Sequence, residues 1–208
     1  MKVAVFGGTG RTGALVVQEL LNDGHEVTML VRNAAKASAF AGQVSVVTGD
    51  VRDTDAVRRA LEGTQAVASA LGPVVKDATL LRDAARIVIA EMARAHISRY
   101  VGISVAGLTL PGDSKRFRDK IISWLLNRLG GELAKDKIAE YEAWNRSGFD
   151  WTLVRVPRLT DGPMGDVDVD THVSGRRTTL SRASLARFIA AAIGDDSFTR
   201  TAPFVSDR

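Results

Sequence analysis

The stretch from Lys2 to Gly13, KVAVFGGTGRTG, constrains this chain more than any other. A short apolar run ends in closely spaced glycines, and a helical pattern begins directly after them. The glycines fit G-x-G-x-x-G or G-x-x-G-x-x-G, with Gly7 or Gly8 followed by Gly10 and Gly13. A strand, a glycine turn and a helix in this order bring backbone N–H groups and the positive end of a helix dipole together. The stretch predicts a pyrophosphate site, and the alternative is a turn that only packs the helix on the strand.

Strand and helix signals alternate from here on, which is typical of a parallel sheet with helices on both faces. Strands are predicted near 3–6, 26–31, 44–47, 66–69, 100–103 and 151–156. Helices are predicted near 13–21, 34–40, 53–61, 78–95, 134–146 and 183–193, with Asp53 as a helix cap. Right-handed crossovers predict an α/β doubly wound sheet of Rossmann type, in the strand order 3-2-1-4-5-6. The binding crevice then lies at the carboxyl ends of the strands.

The length of 208 residues suits one domain with a full core, so residues 1–208 are predicted to form a single dinucleotide-binding domain. Two regions break the alternation. Residues 108–134 form a predicted helical insertion after the fifth strand, and residues 157–208 form elements on the substrate side. Within the latter, residues 160–175 are rich in Asp and Gly and are predicted to be a loop.

Composition narrows the function classes. The absence of cysteine excludes disulfides and thiolate catalysis and favours a reducing compartment. The first strand begins directly after Met1, which leaves no room for a signal peptide, and no apolar run reaches the length of a membrane span. We therefore expect a cytoplasmic protein. The histidines, His25, His96 and His172, lie far apart in sequence and lack metal-ligand spacing, so no metal is predicted.

The charge balance points to small anionic partners. The formal net charge is +4, but the basic residues form neither a dense tail nor a recognition-helix pattern. We expect some of the cations to serve an anionic cofactor and the others to lie on the solvated surface. No nucleic-acid or membrane partner is predicted, and the expected assembly is a monomer or a homodimer.

The residue at the end of the second strand selects between the two nicotinamide dinucleotides. An acidic residue there bonds a ribose 2′-hydroxyl, whereas an arginine accommodates a 2′-phosphate. The position, nineteen residues beyond Gly13, is Arg32 in this chain. Lys36 follows one helical turn later, and Arg11 projects from the glycine turn. Three cations that converge on one phosphate predict NADP(H), and the alternative is that Arg32 only solvates a strand end.

The insertion combines a Pro111-Gly112 turn with a basic amphipathic pattern that contains Trp124. Such a helix would lie on a membrane, bury Trp124 in the core, cover the crevice or pack against a second subunit. We favour a lid or an interface. In the lid hypothesis the Pro-Gly turn is a hinge, and Trp124 contacts a flat aromatic substrate.

An ordered set of motifs carries a family likeness over nearly the whole chain. The motifs are GGTGRTG, HEVTMLVRN, VVTGDV, AVASALG, SRYVGIS and SGFDWTLVRVPRLTDGP. Together they resemble the atypical short-chain dehydrogenase/reductases. Within these, the chain is similar to the NAD(P)H-binding group that includes biliverdin reductase B, which is also a flavin reductase, and the NmrA-like proteins. The likeness is weakest across 108–134.

The resemblance implies a role for each matching residue. The pyrophosphate would be held by Gly7, Gly10, Arg11, Thr12 and Gly13. Around the adenosine, the 2′-phosphate would contact Arg32 and Lys36, and the adenine would border Asp50 and Val51. The central riboses would pass Ala70, Leu71 and Gly72. Ser104 would lie near the nicotinamide as the candidate catalytic residue, with Pro157 and Arg158 on the substrate side.

One departure from the family pattern bears on the mechanism. Typical short-chain dehydrogenases use Tyr-x-x-x-Lys, in which the tyrosine donates a proton. Lys137 matches the lysine, as a cofactor ligand or as an exposed helix residue, but Leu133 stands four residues earlier. The tyrosines of the chain, Tyr100 and Tyr141, are elsewhere. A tyrosine-based alcohol dehydrogenase or sugar epimerase is therefore disfavoured.

Two functions remain open. A reductase without the tyrosine suits acceptors that take a hydride directly and a proton from water, such as flavins, quinones and linear tetrapyrroles. Ser104 would then bond the carboxamide or the acceptor, or would only cap the strand end. The alternative is an NmrA-like redox sensor that binds NADP(H) without turnover and acts through protein partners.

Overall fold

Parallel strands form the centre of the fold, in a computed structural model that describes residues 1–72, 77–114 and 131–208. The strands are β1 (Lys2–Phe6), β2 (Glu26–Val31), β3 (Ser45–Thr48), β4 (Ala66–Ser69), β5 (Arg99–Val105), β6 (Asp150–Val156), β7 (Arg158–Thr160), β8 (Val167–Asp170), β9 (Thr179–Ser181) and β10 (Phe204–Asp207). The helices are α1 (Arg11–Asn22), α2 (Thr54–Leu61), α3 (Leu80–Ala95), α4 (Gly131–Ser147) and α5 (Arg182–Ile193). Short 3₁₀ helices cover Ala34–Phe40 and Asp196–Phe198.

The described strands of the large sheet follow the order β3-β2-β1-β4-β5-β6-β10-β8. The predicted order 3-2-1-4-5-6 is therefore confirmed, and two strands extend it beyond β6. β10 runs parallel to β6, whereas β8 runs antiparallel to β10. β7 and β9 form a separate parallel ladder. The order reverses direction next to β1, which is where open α/β sheets bind their ligands.

Apolar strand residues fill the two faces of the sheet alternately. Val3 and Val5 of β1 belong to the core that α1 and α5 cover. Ala4 and Phe6 belong to the opposite core, under α2, α3 and α4. Successive strand side chains point to opposite faces, so a strand covered on both sides reads as a continuous apolar run.

The interpretation of 160–175 as a loop is wrong in part, because this stretch contains β8. Val167 and Val169 pack against the core under α1 and α5, while Asp168 and Asp170 alternate with them. This is the two-residue period of an edge strand with one apolar face. The predicted cap is confirmed, since the Asp53 carboxylate accepts hydrogen bonds from the backbone N–H groups of Asp55 and Ala56.

The start of the insertion is anchored to the sheet. Asp113 Oδ2 accepts a hydrogen bond from Leu110 N at 2.8 Å and pairs with Arg155 Nη1 at 2.6 Å. Both charged side chains are 1% exposed. The Pro111-Gly112 turn proposed as a hinge therefore sits against a buried ion pair. Residues 115–130, and with them Trp124 as a substrate contact, lie outside the described residues.

Residues 1–72, 77–114 and 131–208 show neither a membrane-spanning helix nor a metal-binding cluster. None of their helices is both long and apolar enough to cross a membrane. No three of their His, Asp or Glu side chains lie close enough to hold a metal ion.

Candidate functional site

A groove of about 390 Å³ lies at the carboxyl ends of β1, β2, β3 and β4. The residues predicted to bind the cofactor that line it are Gly7, Gly10, Arg32, Lys36, Asp50, Val51, Ala70, Leu71 and Gly72. Sequence reasoning missed further lining residues, among them Thr9, Gly49, Asp77 and Leu80. Thr9 and Gly49 lie beside residues that were identified, whereas Asp77 and Leu80 follow no recognisable motif.

The glycine turn lines this groove. Gly7 has a φ of +76°, and a Cβ there would lie 2.9 Å from the Ala70 carbonyl, so only glycine fits. A Cβ on Gly13 would lie 2.1 Å from Gly7 O, which shows how closely α1 approaches the turn. The glycines that contact one another within the turn are Gly7, Gly10 and Gly13, which is the G-x-x-G-x-x-G pattern.

Gly10 is the N-cap of α1 and supplies no side-chain acceptor for the first N–H groups of the helix. Gly10 N donates to Gly7 O at 3.0 Å, which closes the turn. The first turn of α1 carries Arg11, Thr12 and Gly13, and unpaired N–H groups at a helix N-terminus favour an anion. Thr12 is half-buried and does not line the groove.

Two of the three predicted cations line the groove, namely the exposed side chains of Arg32 and Lys36. Arg11 lies elsewhere: its side chain is 75% exposed, and Nη1 is 3.7 Å from Asp161 Oδ2. Asp161 also pairs with Arg182 at 2.6 Å. The structure therefore does not bring Arg11 together with the other two cations.

Ser104 and Lys137 occupy a buried position at the end of β5. Ser104 is 1% exposed, and its Oγ has no hydrogen-bond partner among the described residues. Lys137 Nζ donates to Ile103 O and to Glu140 Oε2, both at 2.9 Å. The interpretation of Lys137 as an exposed helix residue is wrong, because the residue is 4% exposed. Burial raises the pKa of the Glu140 carboxyl, while the Lys137 ammonium opposes this shift.

Both tyrosines serve as packing residues in the core under α2, α3 and α4. The Tyr100 ring stacks on Trp144 with centroids 3.7 Å apart, and burial raises the pKa of its hydroxyl. The Tyr141 ring meets Trp151 edge-on at 5.8 Å. Neither lines the groove.

The two residues assigned to the substrate side also lie outside the groove. Pro157 lines a separate cavity of about 30 Å³, next to Arg155 and Phe204. Arg158 is exposed, and its backbone N–H donates to Thr178 O at 3.2 Å. The described residues thus form the half of the site that would take the adenosine and the pyrophosphate.

Curated relatives match parts of the chain. The uncharacterized protein YwnB of Bacillus subtilis is 29% identical over 118 residues, which cover 57% of this chain and 54% of that protein. The photosystem II assembly factor Ycf39 of Synechocystis is 34% identical over 84 residues, or 39% of this chain and 26% of that protein. The chain therefore spans about half the length of YwnB and about a quarter of Ycf39.

Solved structures share the fold at low identity. A short-chain dehydrogenase/reductase from Veillonella parvula in complex with NADP aligns with a TM-score of 0.79 at 17% identity, covering 99% of this chain and 94% of that one. ChuY of Escherichia coli O157:H7, described as an anaerobillin reductase, aligns with a TM-score of 0.78 at 22% identity, covering 100% and 97%.

A family description of NAD(P)H-binding proteins matches residues 7–196. The match begins in the glycine turn, directly after β1, and includes the other elements that line the groove. The chain belongs to this NAD(P)H-binding family, with a Rossmann-like fold.

Proposed function

We propose that this protein is an NADPH-dependent reductase that transfers a hydride to a flat conjugated acceptor such as a flavin, a quinone or a linear tetrapyrrole. The observation that carries the proposal is the groove, which the glycine turn, Arg32 and Lys36 line together. Two cations in a groove for an anionic dinucleotide favour the cofactor with the additional phosphate.

The reduced nicotinamide, when bound, supplies the hydride. The chain would hold the pyrophosphate at the α1 N-terminus and the 2′-phosphate at Arg32 and Lys36, and these contacts would fix the position of the dinucleotide. Tyr100 packs in the core, Tyr141 packs against it, and neither lines the groove, which supports an acceptor that takes its proton from water. The Ser104 hydroxyl, which lacks a partner among the described residues, would bond the carboxamide or the acceptor.

A reductase of similar fold supports this acceptor class, since ChuY is described as an anaerobillin reductase. The proposal is tested by following NADPH oxidation with FMN, FAD, riboflavin, quinones and biliverdin as acceptors. We expect turnover with at least one of them, and none with a variant that cannot bind the cofactor. Tight NADPH binding without turnover on any acceptor would contradict the proposal.

A second candidate is the sensor that binds NADP(H) without turnover. The burial of Ser104 and the pairing of Lys137 with Glu140 favour it, because the described part of the site leaves neither side chain open to solvent. The same NADPH-oxidation screen separates the two functions, because a sensor would bind NADPH without oxidising it. A sensor would also bind a protein partner with an affinity that depends on the redox state of the cofactor.

We further propose that the protein works in the cytoplasm on a small molecule, as a monomer or a homodimer. The dispersal of basic residues supports the absence of nucleic-acid and membrane partners. Mobility-shift and vesicle-sedimentation measurements at physiological salt are expected to show no binding to DNA, RNA or anionic vesicles.

Arg32→Asp is expected to narrow or reverse the preference for NADPH over NADH. The variant removes a charge-assisted contact and adds a carboxylate where the phosphate would lie, at a cost on the order of 1.5–3 kcal/mol for NADPH. The measurement is the dissociation constant of each cofactor by calorimetry. Arg146→Asp, an exposed site on α4 outside the groove lining, is the matched control. Equal dissociation constants in the unmodified protein would refute the assignment of the phosphate site.

A further inference from the structure

An ion pair joins the segment after β3 to Asp77, a residue that lines the groove. Arg52 follows β3, and its two terminal nitrogens each lie 2.5 Å from a carboxylate oxygen of Asp77, ahead of α3. Arg52 Nη2 also donates to Thr79 Oγ1 at 2.9 Å and lies 3.4 Å from Asp83 Oδ2. The bidentate geometry fixes the guanidinium plane and keeps it directed at Asp77.

The pair includes one of the charged residues that line the groove. The lining includes the cations Arg32 and Lys36 and the carboxylates Asp50 and Asp77, whose formal charges cancel. Arg52 does not line the groove itself, but it neutralises Asp77 from behind. Hydrogen bonding to Arg52 lowers the pKa of Asp77, which favours the ionised carboxylate.

We propose that Arg52 and Asp77 determine how strongly the site prefers the 2′-phosphorylated dinucleotide. Arg52 shields the bound anion from the Asp77 carboxylate, and Asp77 in turn holds the Arg52 charge back from the groove. This inference rests on the preference for NADPH proposed above. It adds two residues that stand outside the Arg32 and Lys36 cluster and that no sequence motif indicated.

The pair is suited to a role in binding rather than in stability. The side chains of Arg52 and Asp77 are 34% and 33% exposed. Ion pairs at such partly exposed positions contribute little to folding, because solvent screens them and their side chains lose entropy. We therefore expect single neutral substitutions at either position to leave the protein folded.

The test compares Asp77→Asn, Arg52→Gln and the double variant by the ratio of NADH to NADPH dissociation constants. Asp77→Asn removes a carboxylate from the groove lining while Arg52 keeps its contacts with Thr79 and Asp83, and it is expected to raise this ratio by about threefold to tenfold. Arg52→Gln exposes the anion to Asp77 and is expected to lower the ratio by a similar factor. The double variant should return close to the unmodified ratio, and all shifts should shrink at high salt.

Matched controls are Glu142→Gln and Arg146→Gln, which change the same charges in an exposed pair on α4. They are expected to leave the ratio unchanged. If both groove variants weaken NADH and NADPH equally, or if neither shifts the ratio, the pair is only a wall of the groove and the inference is wrong. A ratio of NADH to NADPH dissociation constants near one in the unmodified protein would instead refute the proposed NADPH preference. The pair would still be tested in that case, because the two single variants should shift this ratio in opposite directions.

Discussion

Replacing Gly10 by valine is expected to abolish NAD(P)H binding while the fold survives. The side chain would stand where the backbone of the turn must approach the pyrophosphate. Among the described residues a Cβ at this position meets only Gly7 O, at 3.3 Å, and the φ of −81° suits any residue. We expect at least a hundredfold loss of affinity, on the order of 3 kcal/mol, measured by titration with NADPH.

Two comparison variants make this result specific. Gly194→Val adds the same side chain at a helix end where a Cβ meets nothing within 4 Å, and it should bind NADPH normally. Gly13→Ala places a Cβ 2.1 Å from Gly7 O, so it should lose stability as well as affinity. Normal NADPH binding by Gly10→Val would show that the phosphate site lies elsewhere.

The sequence was sufficient to predict the part of the groove lining that local patterns encode. β2 and β4 begin and end at the predicted residues, because polar or glycine-rich segments bound their apolar runs. The glycines themselves mark the turn that follows β1, and their distance along the chain identifies the basic residue that follows β2. Counting along the chain from these patterns was therefore enough to identify Gly10 and Arg32, and both residues line the groove.

Long-range pairing of charged residues was not predictable in the same way. The buried face of α4 carries Asp136, Lys137, Glu140 and Trp144, and a face with three charges reads as solvent-exposed. Asp136 is buried because its oxygens accept the N–H groups of Leu81 and Arg82, at the start of α3. This interaction joins residues more than fifty positions apart, and no local pattern reports it.

The direction in which the Arg11 side chain extends could not be predicted from the sequence either. Arg11 follows the glycine turn, as its assignment to the phosphate requires, yet it extends toward Asp161. Asp161 lies directly after β7 and also pairs with Arg182, the first residue of α5. Asp77 lines the groove and pairs with Arg52, and only the tertiary structure brings these two residues together.

Removing one partner of the buried Lys137–Glu140 pair is expected to destabilise the protein strongly. Glu140→Leu leaves the Lys137 ammonium, 5% exposed, with the Ile103 carbonyl as its remaining partner among the described residues. An uncompensated buried charge costs about 3–5 kcal/mol, whereas replacing both partners by apolar residues is often close to neutral. We therefore expect Glu140→Leu to lower the free energy of unfolding in urea by this amount, and Glu140→Leu/Lys137→Met to recover most of it.

The same helix offers a matched control for this prediction. Glu132 and Lys135 have the same spacing and a 2.7 Å contact, but their side chains are 67% and 73% exposed. Glu132→Leu should change the free energy of unfolding by less than about 1 kcal/mol. A small effect of Glu140→Leu would mean that Lys137 reaches solvent or another acceptor. The recovered double variant then tests Lys137 itself: if it folds stably but binds NADPH more weakly, the ammonium contacts the cofactor, and unchanged affinity assigns the pair to the fold alone.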